Sequence, residues 1–423
     1  MKIDFKDNKF FINLLYSGIY QGVNLILLIV LVPFYIQTYG IEHFGIINLG
    51  QAFGLYILAL CDYNFLVKGV REVNANISNP KDLGSFYIES VISKLLLFIF
   101  GYIFGLIIIL FIPNFNHIFA DLSIGMLYGL SLSIVPLWLL QGLQFTKPLA
   151  LIHSPIRLLG IVFIFLFLTD KTDYFWVNPV LIVSNFIATI VILISLYKNK
   201  KIILSTQIST YRIFDNLRLG KRVCFANISV NTYMNLNTVV LGIFASPEIV
   251  GLYSLAEKAI IGFRQILSVI ASVLYPMVCE KVLNFKNEVN RFVFISGTSL
   301  VFMYIIFTGF LIIFREPIIM FLSNSHKSVS TTNIMFILSL TLPIVALNVP
   351  FWLTLNANGL EKQVSNIAIL TAMISLIVNA VLSKMFFALG TAFSVLFTET
   401  FFTIGVILLS IQHKIFKHNE QNS

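Results

Sequence analysis

The side chains able to do chemistry in this chain are mostly uncharged and set at helical spacing. Asn13, Ser17, Gln21 and Asn24 fall at i, i+4, i+8 and i+11, so one helix would carry all four on a single face. Asn227, Asn231, Asn235 and Thr238 repeat that spacing. Each stripe would run about 16 Å at 1.5 Å per residue. Two uses fit it: a wet groove that accepts a hydroxyl-rich molecule such as a sugar, or hydrogen bonds across packed helices inside a membrane. The charged candidates are fewer. Arg157, Glu257, Lys258, Arg264 and Glu399 stand within long apolar runs, while Asp62, Arg71 and Lys94 stand at or near the ends of such runs. A Lys, Arg or Asp at the centre of a membrane helix costs roughly 2.5–3.5 kcal/mol and normally faces a partner or a cavity. The cations suit an anionic group such as a phosphate, or a structural ion pair. Glu257 and Arg264 are two turns apart, about 10.5 Å along a helix, too far for a direct pair.

No catalytic arrangement accompanies these residues. There is no phosphate-cradling glycine loop followed by Lys and Ser or Thr, no nucleophile elbow and no His/Cys metal spacing. Cys61, Cys224 and Cys279 are far apart, as small apolar residues inside or beside membrane spans would be. His43, His117 and His326 fall near loops. The expectation is a chain that is not an enzyme and needs no cofactor.

The elements that must position these groups are apolar helices. Hydrophobic residues make up 58% of the 423 residues and charged ones only 11%, less than half the share of a soluble domain, about 25%. The apolar blocks reach twenty residues or more, enough to cross a hydrocarbon layer of about 30 Å. Twelve spans are predicted, at 11–38, 43–65, 88–112, 122–143, 148–168, 174–197, 219–244, 249–275, 291–314, 332–356, 364–383 and 388–411. The first ten residues lead into a full-length span rather than a short cleavable signal. With both termini on one side, most of the 28 basic residues fall on that side, and Lys171, Arg315, Lys327 and Lys384 fall opposite. The bias predicts cytoplasmic termini, and it accounts for the net charge of +9 without nucleic acid. The longest opposite loop, Arg315 to Thr331, has 17 residues and leaves no room for a catalytic domain. The basic connection from Lys198 to Arg218 divides the chain into six-span lobes, 1–205 and 206–423.

The two halves share patterns. Glu42, Gly45 and Leu49 match Glu248, Gly251 and Leu255, an offset of 206. Pro136-Leu137-Trp138-Leu139, followed by Gly142-Leu143, matches Pro350-Phe351-Trp352-Leu353, followed by Gly359-Leu360. Six spans per half would give the copies the same orientation, a plan used by transporters with the substrate path between the halves.

At this point the residues resemble a family. Phe44-Gly45 through Gln51-Ala52-Phe53, Asp62-Tyr63-Asn64-Phe65, Arg71-Glu72-Val73 and Lys94 resemble the second span, following loop and third span of Wzx-type flippases, which move lipid-linked O-antigen units. Pro136-Leu137-Trp138-Leu139-Leu140-Gln141-Gly142-Leu143-Gln144 is similar to that family's Pro-x-Trp-x-x-Gln-Gly-x-Glu signature, with Gln144 in place of Glu. Gly251 through Lys258, ending at Tyr275-Pro276, is similar to its eighth span. Asn64 stands where the family usually has Gly.

The resemblance implies a two-lobed, V-shaped all-α exporter fold in the bacterial inner membrane, with spans 1, 2, 7 and 8 lining a central cleft. The implied substrate is an undecaprenyl-diphosphate-linked oligosaccharide, moved by alternating access. Its sugar would meet the neutral stripes, and its diphosphate would meet cations among Arg71, Lys94, Arg157, Lys258 and Arg264. Coupling to H+ or Na+ is also implied, with Asp62, Glu257 or Glu399 as carrier, alongside membrane lipids and other polysaccharide-assembly proteins as partners. Three readings compete. A lipid II flippase usually has fourteen spans and an Arg in the first, and both are missing here. A multidrug exporter of the same superfamily usually carries an acidic residue in its first span, and 11–38 has none. A membrane polysaccharide polymerase usually carries a large outward catalytic loop, which is not found here.

Overall fold

The computed structural model describes residues 8–203, 208–219, 236–284, 286–323 and 328–413. Among these residues all regular structure is helical. The helices are α1 (Asn8–Asp62), α2 (Phe65–Ala75), α3 (Pro80–Phe111), α4 (Phe119–Ile134), α5 (Leu137–Gly142), α6 (Ser154–Phe167), α7 (Tyr174–Lys198), α8 (Thr210–Leu219), α9 (Pro247–Asn284), α10 (Lys286–Ile313), α11 (Arg315–Leu322), α12 (Val329–Ser339), α13 (Thr341–Ala357) and α14 (Glu361–Gln412). Nine helical stretches among the described residues are long and apolar enough to cross a membrane.

Two of those stretches are too long for one crossing. At 55 residues, α1 would extend roughly 80 Å. It is interrupted at Gly40, whose φ of 87° and ψ of 167° suit a residue without Cβ. The 52-residue α14 breaks at Phe387, with φ 51° and ψ −129°. A non-glycine residue held there costs about 1–3 kcal/mol. Beside the break, Thr391 Oγ1 donates to Phe387 O at 3.2 Å and lies 2.7 Å from Ser383 Oγ. Divided at these breaks, the nine stretches become eleven segments in register with eleven predicted spans. The remaining span, 219–244, falls largely on residues outside the described set; 236–244 is helical.

The chain forms two compact units, Met1–Asn231 and Thr232–Ser423. In the first, the distal half of α1 packs on α4 through two small-residue pairs. Gly50 and Gly54 face Gly125 and Gly129 so closely that a Cβ on Gly129 would collide with the Gly54 carbonyl, and one on Gly125 with the Gly50 carbonyl. Small residues four apart let helix backbones meet where lipid supplies no hydrophobic drive. Pro136, with φ −78° and ψ 55°, separates α4 from the short α5. Trp138 on α5 is buried against Phe86 and Tyr87, with ring centroids 5.3 and 6.3 Å away. Gly69 of α2 admits the Trp138 ring, and Gly142 admits Val73.

The repeat is less regular in structure than in sequence. Pro350 lies inside the continuous α13, whereas its counterpart Pro136 ends a helix, and Trp352 is exposed where Trp138 is buried. The helices α2 and α8, both amphipathic and short, were not among the expected elements. Hydrogen bonds from Tyr63 and Lys68 to Leu217 and Asn216 tie α8 to the first unit.

Candidate functional site

In the first unit the focus is Arg157. The chain enters α6 through a wide helical turn, Leu149–His153, and Pro155 lies in the first turn of the helix that follows. The Arg157 guanidinium donates from Nη1 to Asn24 Oδ1 at 2.7 Å and from Nη2 to the Tyr128 hydroxyl at 3.4 Å. Tyr20, Tyr35 and His153 lie within its electrostatic reach. The Tyr35 hydroxyl and both ring nitrogens of His153 are buried without a hydrogen-bond partner among the described residues. No described carboxylate forms an ion pair with Arg157. A guanidinium carries five donors and a permanent charge. Among the described residues its two acceptors are both neutral, an arrangement able to take an anion or water.

Asn24 thus belongs to the arginine site. At the other end of the stripe, Asn13 Nδ2 donates to the Gln144 carbonyl at 2.9 Å, and its Oδ1 accepts from the Thr146 amide at 3.2 Å and hydroxyl at 2.9 Å. Gln144 sits at φ 48°, in the left-handed region, and Asn13 clamps the turn it makes. Asn13 therefore acts as a polar contact between packed segments. Between these ends, Ser17 and Gln21 are half-buried and have no hydrogen-bond partner among the described residues.

Lys94 and Asp62 form a second polar centre. The Lys94 ammonium lies 3.1 Å from Asp62 Oδ1, donates to the Ser133 carbonyl, and stands over the Phe65 ring at 5.6 Å. Its side chain is 3% exposed, against 27% for Asp62. Arg71 is exposed on α2 and forms no ion pair among the described residues.

In the second unit the structure brings Arg264 and Glu399 together. Nη1 of Arg264 lies 3.0 Å from Glu399 Oε1, and Nη2 donates to the Thr341 hydroxyl at 2.9 Å, which in turn donates to the Leu338 carbonyl. Glu257 receives a bond from the Tyr253 hydroxyl at 3.5 Å. Lys258 is half-buried and makes no ion pair among the described residues. Asn227, Asn231 and Asn235 lie outside the described residues. A buried neutral network, Asn237 to Asn379 to Ser383, stands beside the break in α14.

Sequence reasoning named Arg157, Asn24, Lys94, Asp62, Arg264 and Glu399, and weighed a structural ion pair for Arg264 and Glu399, but did not join Arg157 to Asn24 or Lys94 to Asp62. It missed Tyr20, Tyr35, Tyr128 and His153. The spacing held a partial signal: Tyr20 with Asn24, and His153 with Arg157, are four residues apart and share a helical face.

Comparison with known proteins places the chain. A family model described as polysaccharide biosynthesis protein matches residues 11–282. A protein of Escherichia coli (strain K12) named "Putative O-antigen transporter" is 23% identical over 412 residues, covering 95% of this chain and 97% of that protein. A protein of the same name from Shigella dysenteriae is 22% identical, covering 93% and 98%. Among solved structures, the lipid II flippase MurJ in an inward closed conformation has a TM-score of 0.70 at 15% identity, covering 94% of this chain and 87% of the other. An inward-facing multidrug resistance MATE family transporter has a TM-score of 0.63 at 12% identity, covering 93% and 94%. The all-α membrane fold is shared with these transporters.

Proposed function

The chain belongs to the polysaccharide biosynthesis protein family, and on that premise we propose that it is a flippase for an undecaprenyl-diphosphate-linked oligosaccharide such as an O-antigen repeat unit. It carries its substrate from the cytoplasmic to the outer leaflet of the bacterial inner membrane by alternating access, as a multi-pass protein with cytoplasmic termini and no enzymatic activity. The names of the two relatives and of the MurJ neighbour support this reading.

The observation that carries it is Arg157. Its charge is held inside a membrane unit by Asn24 and Tyr128 and by no described carboxylate. A diphosphate supplies an anion for it, and the planar fork of donors suits its oxygens. The sugar needs polar company as well, because each unpaired hydroxyl costs about 4–8 kcal/mol in hydrocarbon. Ser17 and Gln21, unspent in hydrogen bonding among the described residues, offer it on the same helix as Asn24. Arg264 contributes differently, since Glu399 already balances its charge; a diphosphate there would compete with that carboxylate. Asp62, Glu257 and Glu399 are the carboxylates available to a coupling H+ or Na+. Two of them are bound to cations, so taking up an ion would loosen a helix contact.

The test is complementation in a strain lacking this gene, scored by surface polysaccharide and by the lipid-linked unit retained inside. The wild-type chain restores display and clears the intermediate. Arg157→Gln, present at normal abundance, does neither, and Arg157→Lys restores part. Normal display with Arg157→Gln would remove the site from the mechanism. Restored resistance to cationic drugs without restored display would favour a multidrug exporter.

A further inference from the structure

We propose that α8 is a membrane-surface helix that binds the anionic phospholipid headgroups of the bilayer. Its ten residues have two opposed faces. Ile213 and Asn216 are buried against the rest of the first unit. Tyr211, Phe214 and Arg218, at i, i+3 and i+7, point the other way, and the two aromatic side chains are 77% and 68% exposed. Arg212 is exposed as well but lines a pocket with Asp82, Glu89 and Ser209, off this face.

The helix is held in place rather than merely nearby. The Leu217 carbonyl accepts from the Tyr63 hydroxyl, and Asn216 Oδ1 accepts from the Lys68 ammonium, which also stands 4.0 Å from Asp215. Just before α8, the Ser209 amide donates to Glu89 Oε1 at 3.0 Å. These tethers fix which face is outward.

The position of α8 along the bundle selects the occupant. On α7, the preceding helix, the exposed residues Ile187, Ile190, Ile194 and Tyr197 run apolar to the last turn. Lys198, Lys200 and Lys201 follow at once, all exposed. That change from apolar to cationic marks the depth where hydrocarbon gives way to headgroups, and α8 begins nine residues after Lys201. Aromatic rings with cations beside them, on a helix of low overall hydrophobicity, are the composition of an interfacial helix. Four exposed cations, Lys198, Lys200, Lys201 and Arg218, complement anionic lipid, each attracted to a negatively charged surface.

The test uses Phe214→Trp in the full chain, reconstituted in vesicles of phosphatidylcholine and phosphatidylglycerol, with emission read as the difference from the unsubstituted chain. Position 214 is exposed, so the fold tolerates the larger ring. One lipid at a time is brominated near the headgroup end of its acyl chains, at equal mole fraction. Brominated phosphatidylglycerol should quench the added tryptophan at least about twofold more than brominated phosphatidylcholine. Arg218→Gln combined with Lys198→Gln, Lys200→Gln and Lys201→Gln should abolish that preference, and raised salt should weaken it. Equal quenching by the two lipids overturns the headgroup proposal. No quenching by either overturns the membrane contact itself and leaves the face to water or a protein partner. The readout needs no transport, so its failure is separate from that of the proposed flippase activity.

Discussion

The Arg264 guanidinium lies 3.0 Å from the Glu399 carboxylate, joining α9 to the distal half of α14 in a pair whose side chains are 24% and 6% exposed. Removing one partner of a buried pair costs about 3–5 kcal/mol, whereas apolar replacement of both is often near neutral. Glu399→Gln should therefore lower thermal stability in detergent markedly, and Arg264→Met with Glu399→Leu should recover most of the loss. A double variant as unstable as Glu399→Gln would show that the pair is not the source of the effect. In transport, Arg at position 264 should exceed Lys, and Lys should exceed Gln and Ala. Only Arg reaches Glu399 and Thr341 together.

The Lys94–Asp62 pair should respond asymmetrically. Lys94 is almost fully enclosed, while Asp62 keeps contact with its surroundings. Asp62→Asn leaves a buried ammonium with only the Ser133 carbonyl and the Phe65 ring, and should cost about 3–5 kcal/mol. Lys94→Met leaves a carboxylate that is 27% exposed, and should cost less. Chemical denaturation of the two purified variants gives the order directly; equal losses would contradict it.

Arg157 should behave as a functional charge and not as a structural one. It has no described carboxylate to strand, so Arg157→Gln should change stability by no more than about 1.5–3 kcal/mol, the worth of a hydrogen bond from a charged donor. Transport should fall at least about tenfold, the equivalent of 1.4 kcal/mol. Paired melting curves and flux measurements separate the two. A collapse in stability with flux per folded molecule unchanged would reverse the assignment.

The contact of α1 with α4 depends on four glycines. Gly129→Ala should lower the melting temperature and the yield of folded protein, because its methyl group would strike backbone rather than a mobile side chain. Gly18→Ala, with nothing within 4 Å of the added carbon, serves as the control and should be neutral or slightly stabilising. Equal behaviour of the two variants would show that the helices can part to make room.

The large features were legible because membrane burial writes itself in long apolar runs. Even the breaks in α1 and α14 fall between predicted spans, 11–38 and 43–65, and 364–383 and 388–411, since polar or flexible residues are needed where a helix turns back. The surface helices were not legible. With ten or eleven residues, α2 and α8 bury only one narrow face, and their amphipathic pattern reads as a polar connection. Individual charges stood out against the apolar background, and an ion pair was one reading of Arg264 and Glu399, but spacing alone could not choose it. Arg264 and Glu399 are 135 residues apart, and only the packing of α9 on α14 joins them. The stripe on α1 carried two alternatives that sequence could not separate; in the structure Asn13 clamps a turn and Asn24 bonds Arg157 on another helix.

The most direct measurement is translocation in proteoliposomes containing a fluorescent undecaprenyl-diphosphate oligosaccharide in both leaflets. A membrane-impermeant enzyme or quencher then acts on the outer leaflet alone. Without a flippase, only the outer pool should react. With this protein, the inner pool should also become accessible on the same timescale, and Arg157→Gln vesicles should resemble protein-free ones. An inner pool that stays protected with folded wild-type protein, across imposed H+ and Na+ gradients of either direction, would contradict the account.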